Sequence, residues 1–251
     1  HLNPTATEAP YLGEPWSKMQ IGRIKIAGNE KWVGFVGGGY SGSACLSADG
    51  GTSYACNTPA TYSAGKGFFV VDLTNGNILW KYTHAENASM DFSAPAAPAA
   101  IDADSDGFID TVYMGDLGGN MWRFRLCPSD GSACGLMTYP SSCTTASWTA
   151  SLLYQASNVE RGSTLATPSN THKQIFAKAV AAKDPSGYVW VYWGTGENND
   201  PTTKPSDTSD TKNRIYAVKE NKTFTGTYTT SNLKNITSTV YCYSATTTGC
   251  T

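Results

Sequence analysis

At 251 residues with a formal net charge of −2, the chain is long enough for one large or two ordinary domains, and it lacks the positive balance that holding a nucleic-acid backbone requires. Gly, Ser, Thr, Asn and Tyr are abundant while charged residues make up only 15%, a composition that suits an extracellular all-β protein. No apolar run approaches membrane-spanning length, and a start at His1-Leu2-Asn3 reads as a processed or excised portion of something longer.

The chain opens with an extended, Pro-punctuated lead over His1–Pro15, residues 1–13 preceding any patterned sequence. Gln20–Ala27 alternates as IGRIKI, the period of a half-buried strand, and Gly28-Asn29-Glu30 reads as a turn. Lys31–Val36 is a second strand, ending in Gly37-Gly38-Gly39. After a long loop over Tyr40–Ala64, Gly67–Leu73 and Asn77–Thr83 flank Thr74-Asn75-Gly76, a strong hairpin signal. Prolines in the Ala-rich stretch Phe92–Ala100 argue against a long helix.

The next stretch, Asp102–Leu126, carries the clearest chemistry. Asp102, Asp104, Asp106 and Asp110 occupy positions 1, 3, 5 and 9 of a calcium loop, with Gly107 at the sharp turn and the carbonyl of Phe108 free at position 7. Four carboxylates in nine residues repel one another without a cation, and glycine takes the tight turn at least cost. Tyr113 stands where an EF-hand places its bidentate Glu, and no helical pattern flanks the loop, so this is an EF-hand-like loop in another setting. The competing reading is a solvated acidic turn. One such loop without a bidentate Glu predicts an affinity on the order of 10⁻⁶ to 10⁻³ M for Ca2+. Thr111–Met114 and Met121–Leu126 read as strands on either side of a tight connection, Gly115–Asn120.

Beyond the second cysteine-bearing loop, Cys127–Ala150, Ser151–Tyr154 reads as a short strand. Gln174–Ala182 is helical by propensity, but its neighbours favour a strand. Tyr188–Trp193 is a strong aromatic strand and Asn213–Lys219 another, separated by the polar loop Gly194–Lys212. Residues 223–251 form a weakly patterned Thr/Ser-rich tail.

The seven cysteines form no CxxC or haem motif, and each group lies in a turn-rich stretch where a bridge can staple a loop. Cys45–Cys56 and Cys242–Cys250 are the natural local pairs; among Cys127, Cys134 and Cys143, loop size favours Cys127–Cys134, and the odd cysteine would pair elsewhere. Free buried thiols are the alternative.

Three stretches, WVGFVGG…FFVVDL, TVYMGDL…MWRFRL and WVYWGTG…IYAVKE, repeat one theme: an aromatic or β-branched strand, a glycine, a connection, and an aromatic-x-apolar strand. Gly37, Gly115 and Gly194 hold equivalent places about 80 residues apart. A Pro-containing segment precedes each unit: Glu14-Pro15-Trp16, Ser93-Ala94-Pro95 and Ala166-Thr167-Pro168. Repeated four-stranded units with loop insertions predict an all-β fold, a partial β-propeller of about three blades forming a single domain over 1–251. Three blades do not close a ring, so the remainder of the same propeller or a partner chain is expected; a sandwich with generic alternation is the alternative.

GEPWSKMQIGRIKI, WVGFVGGGY, DADSDGFIDTVYMGDLGGNMWRFRL and WGTGENND…NRIYAVKE together resemble the C-terminal propeller of the PilY/PilC family of type IV pilus tip-associated proteins, over most of Gly13 to Lys222. The resemblance implies calcium held by Asp102, Asp104, Asp106 and Asp110 with the Phe108 carbonyl. It also implies a secreted, non-enzymatic protein at the pilus tip or outer-membrane surface of a Gram-negative bacterium. Such a protein supports pilus assembly, opposes retraction and adheres to host or abiotic surfaces, with pilins or minor pilins as partners. The large N-terminal region of that family is absent from this sequence, as is an RGD; the nearest string is Arg161-Gly162-Ser163.

Two other classes compete. Asp72–Trp80, DLTNGNILW, resembles the DxxTGxxxW docking motif of quinoprotein dehydrogenase propellers, in one copy and with Asn75 in place of Thr. In those proteins the Trp packs between blades. A glycan-binding propeller would use exposed Trp16, Trp148 or Trp193. His1, His84 and His172 are isolated, with no nucleophile elbow, HExxH or P-loop. His84 beside Glu86 reads as a surface hairpin residue, with a pH-sensitive pair as the alternative; Asp200, Asp207 and Asp210 read as a solvated loop, with a second cation site as the alternative; the N-x-[ST] strings at Asn87, Asn221 and Asn235 read as chance.

Overall fold

The computed structural model describes residues 2–41, 63–126, 143–157, 173–196, 213–221 and 223–236. Among the described residues the chain is all-β, built as three antiparallel sheets. The first joins β1 (Gln20–Ile26), β2 (Asn29–Gly37), β3 (Gly67–Asp72) and β4 (Ile78–Thr83) in sequence order. The second joins β5 (Ala99–Ile101), β6 (Thr111–Gly115), β7 (Met121–Arg125) and β8 (Thr149–Tyr154) in the same way. The third contains β9 (Val180–Lys183), β10 (Val189–Gly194) and β11 (Ile215–Lys219). Each is a meander, and β5 lies beside both β1 and β9, so the first strands of successive sheets are neighbours. This is the arrangement of propeller blades, as the repeats predict.

Burial explains the order. The middle sheet is sandwiched: every residue of β6 and β7 is buried. Val112, Met114, Trp122 and Phe124 meet Val33, Phe35, Phe68 and Val70 of the first sheet. Phe68 and Phe124 stack with centroids 4.0 Å apart. On the opposite side Tyr113, Met121 and Tyr154 meet Val189, Val191, Trp193 and Val218 of the third sheet. Strands buried on both faces read as near-continuous apolar runs, as in GFFVVD. In β11 burial alternates, leaving Ile215, Ala217 and Lys219 exposed among the described residues.

The three repeat glycines each end the second strand of their sheet. A Cβ on Gly37 would meet the Ala94 carbonyl oxygen at 2.3 Å, and one on Gly115 would meet Ile175 Cγ2 at 2.3 Å. The chain entering the next sheet therefore lies directly on Gly37 and on Gly115. Ser17 ties the first joint further, accepting from Gly37 N at 2.9 Å and donating to the Ala96 carbonyl at 3.0 Å. A Cβ on Gly194 would meet nothing within 4 Å among the described residues.

Four expectations change. Of Gln174–Ala182 only Val180 onward is strand. The residues before it bond elsewhere: Ile175 N donates to Asp116 O at 3.1 Å and Gln174 O accepts from Gly196 N at 2.9 Å. The three-residue strand β5 falls in the Ala/Pro stretch, where no alternation betrays it. The lead is not simply extended: Ala9–Tyr11 forms a 3-10 turn, and Asn3 bridges Asn77. Cys143 is disulfide-bonded, so it is not the cysteine left over. The other six cysteines, and hence the pairs Cys45–Cys56, Cys127–Cys134 and Cys242–Cys250, lie outside the described residues.

Candidate metal centre

The acidic loop connects β5 to β6 in the middle sheet. Asp102, Asp104 and Asp106 each bring a carboxylate oxygen within 4.8 Å of the others, a cluster that could hold a metal ion. The loop is shaped by its own carboxylates. Asp102 Oδ1 accepts from Ser105 N at 2.6 Å and Asp106 N at 3.1 Å, and its Oδ2 accepts from Gly107 N at 2.7 Å. Asp106 Oδ1 accepts from Phe108 N at 2.9 Å. Gly107 holds φ +93°, a left-handed conformation that glycine adopts without a Cβ clash.

The fourth carboxylate is turned to the backbone. Asp110 is fully buried, and its Oδ2 accepts from Ala103 N at 2.7 Å and Asp104 N at 3.3 Å. Its Oδ1 accepts from Thr111 Oγ1 at 2.6 Å. Asp110 therefore ties the loop backbone together, and it is not among the three carboxylates that converge.

Electrostatics mark this loop as short of positive charge. Burial, then the nearby Asp110 charge, push the Asp104 carboxyl up to about 7, with Asp102 and Asp106 adding to the rise. Burial pushes Asp110 up to about 6, against the opposing hydrogen bonds from Thr111 and Ala103. Asp104 Oδ2 is buried without a hydrogen-bond partner. An orphaned buried oxygen within a trio of hard donors fits a divalent cation that prefers oxygen ligands.

Both neighbouring sheets reach this loop. From β1, Arg23 donates to the Gly107 carbonyl, with Nε at 3.3 Å and Nη2 at 3.2 Å. From β9, Lys183 Nζ donates to Ser105 Oγ at 3.1 Å. Sequence reading missed both contacts, because neither residue stands near the loop in the chain.

A family model described as the PilY1 beta-propeller domain matches residues 8–241. The chain belongs to this family. The type IV pilus biogenesis factor PilY1 of Pseudomonas aeruginosa is 29% identical over 119 residues, covering 47% of this chain and 8% of that protein. A PilY1 homolog of Xylella fastidiosa, also named a type IV pilus biogenesis factor, is 34% identical over 76 residues, covering 27% of this chain and 5% of the relative. The chain thus spans less than a tenth of the length of the relatives it matches. The crystal structure of the P. aeruginosa PilY1 C-terminal domain superposes with a TM-score of 0.58 at 24% identity, over 90% of this chain and 42% of that one, a likeness of fold.

The other candidate residues of this PilY1-family chain fall out as follows. Trp80, from the quinoprotein-like segment, packs edge-on against Phe124 and Trp148 of the middle sheet, with centroids 6.3 and 5.7 Å away. It is thus an inter-sheet packing residue. Trp148 and Trp193 are buried and unavailable to a glycan; Trp16 is exposed and stacks on Tyr40 at 4.7 Å. His84 is neither paired with Glu86 nor an exposed hairpin residue. Its side chain is 12% exposed, with Nδ1 3.7 Å from Asp91 Oδ1, while Glu86 pairs with Lys81 and Thr83. His1, His172, Asp200, Asp207 and Asp210 lie outside the described residues. No helix among the described residues is long and apolar enough to cross a membrane.

Proposed function

We propose that this chain is the calcium-holding part of a type IV pilus biogenesis factor, secreted to the pilus tip or outer-membrane surface of a Gram-negative bacterium. There it supports pilus assembly, retraction control and surface adhesion without catalysis. The observation that carries the reading is the family match over residues 8–241, which takes in the whole acidic loop. The likeness to proteins named type IV pilus biogenesis factors supports the biological setting.

In this reading Asp102, Asp104 and Asp106 hold one Ca2+, and Asp110 and the Phe108 carbonyl complete its shell. Bound calcium supplies positive charge and hard-cation coordination. The chain's own residues do the rest: Asp110 sets the loop's height against the Ala103 amide, and the Asx-type hydrogen bonds of Asp102 and Asp106 set its curvature. Val180, Tyr192 and Ile215, exposed on the third sheet among the described residues, suit packing by the remainder of the propeller or a partner chain. Pilins or minor pilins are the proposed assembly partners, and a host or abiotic surface the adhesive target.

The test has two arms. Calorimetry with calcium should give one site in wild type and a strongly weakened one in Asp104→Ala. Cells carrying Asp104→Ala should lose calcium-dependent control of pilus number and twitching while still exporting the protein. Equal calcium binding by both proteins would place the ion elsewhere. Unchanged piliation across calcium concentrations in wild type would end the regulatory reading.

A further inference from the structure

Arg23 touches the acidic loop at three consecutive residues. Its carbonyl accepts from Ile109 N at 2.7 Å. Its guanidinium donates to the Gly107 carbonyl through Nε and Nη2 and lies over the Phe108 ring, Cζ 4.5 Å from the centroid. One residue of the first sheet therefore grips both peptide units that flank Phe108. The fit is close on both sides: a Cβ on Gly107 would come within 2.9 Å of Arg23 Nη2, and one on Gly22 within 2.8 Å of Ile109 Cγ1.

Two physical effects of this arginine on a cation in the loop have opposite signs. As a positive charge it repels the ion. As a clamp its guanidinium fixes the Gly107–Phe108 peptide and the Phe108 ring, next to the Phe108 carbonyl, so less ordering is left for the ion to impose; the bond from Ile109 N is a backbone contact that any side chain at position 23 keeps. The repulsion is weakened by solvent, since the Arg23 side chain is 38% exposed and also pairs with Glu30 at 3.4 Å. The clamp is screened less, because it acts at contact distance, 3.2–3.3 Å to the Gly107 carbonyl, and not across a gap to the ion. We infer that Arg23 is a positioning residue for the metal loop, one that raises its affinity for a divalent cation despite carrying a like charge. It also makes that site depend on contact between the first and middle sheets. This inference rests on the calcium reading above.

Lysine would keep the charge but not the forked donation or the planar stacking. The experiment is calcium calorimetry on wild type, Arg23→Ala and Arg23→Lys, with thermal melts of each in chelator and in calcium. Both variants should bind calcium about 10- to 100-fold more weakly than wild type, the range seen when partners supporting a metal's ligands are removed. Both should show a smaller calcium-induced rise in Tm. Charge alone would make Arg23→Ala bind more tightly and Arg23→Lys bind like wild type; either result overturns the inference. Equal affinities with melts lowered alike in chelator and calcium also overturn it, leaving Arg23 as a purely structural contact. If wild type itself fails to bind calcium, the failure belongs to the calcium reading, and the wild-type titration alone reveals it.

Discussion

Arg123 on β7 and Glu220, the residue after β11, form an ion pair sealed between the middle and third sheets. Arg123 Nη1 lies 2.8 and 3.0 Å from the two carboxylate oxygens, and the side chains are 1% and 0% exposed. Tyr113 OH donates to Glu220 Oε2 at 3.3 Å, while Arg123 Nη2 donates to Ser151 Oγ at 2.9 Å and the Gly226 carbonyl at 3.2 Å. Burial raises the Glu220 carboxyl above its ordinary range, against the pull of Arg123. Removing one partner strands the other. Glu220→Leu or Arg123→Met alone is expected to cost about 3–5 kcal/mol, while the variant with both costs less than the two single losses combined. Denaturant melts of the four proteins read this directly; additive losses would mean the two residues act independently.

The inter-sheet stack predicts a second loss. Phe68 is fully buried and meets Phe124 face to face and Trp80 edge-on. Phe68→Ala should destabilise by about 3–5 kcal/mol through lost burial and the cavity left behind. Phe68→Leu should cost less, as it keeps most of the volume. Urea titrations of both variants give the comparison.

The repeat glycines predict a contrast. Gly115→Ala drives a methyl group into Ile175, and overpacking of that kind costs about 1–3 kcal/mol. Gly194→Ala meets nothing within 4 Å among the described residues and should stay within about 0.5 kcal/mol of wild type. Equal melting temperatures for the two variants would show that the close approach at Gly115 carries no weight.

Acidity should act on the metal-free loop with a definite sign. Asp104 and Asp110 are raised to about 7 and about 6, and ordinary carboxyls in an unfolded chain titrate near about 4. Across that window the folded chain holds protons that the unfolded chain has released. In calcium-stripped buffer the loop's contribution to stability therefore falls as pH rises from about 4 to about 7, and levels off above. Calcium needs the ionised carboxylates, so the rise in Tm that it produces should grow over the same window. Melts at several pH values, with Asp104→Asn as the control lacking one of these groups, test both trends. A calcium effect independent of pH would remove these carboxylates from the site.

Much of this was legible in the sequence for a physical reason. Strands such as FFVVD and YVWVYW alternate or run apolar because they face a core, and the loop's Asp spacing is local geometry written in nine residues. What stayed hidden is what joins distant residues. Arg123 and Glu220 are 97 positions apart and Arg23 and Gly107 are 84 apart, so no local pattern links either pair. Strand β5, Ala99-Ala100-Ile101, escaped notice because small residues beside β1 and β9 need no β-branched bulk to fit there. His84 reads as exposed in a polar turn, yet the fold closes over it beside Asp91.

The glycines at the ends of β2 and β6 have a consequence at the scale of a whole ring. At each, the segment entering the next sheet packs directly on the glycine, through the Ala94 carbonyl at Gly37 and through the Ile175 side chain at Gly115. A side chain there would act as a shim and open the angle between two neighbouring sheets. A circle closes only when all such angles sum to a full turn, so an error at one joint cannot be absorbed locally and must appear as a gap or a screw offset elsewhere. Closure of a ring is thus sensitive to a single methyl group at Gly37 or Gly115, two positions outside the acidic loop.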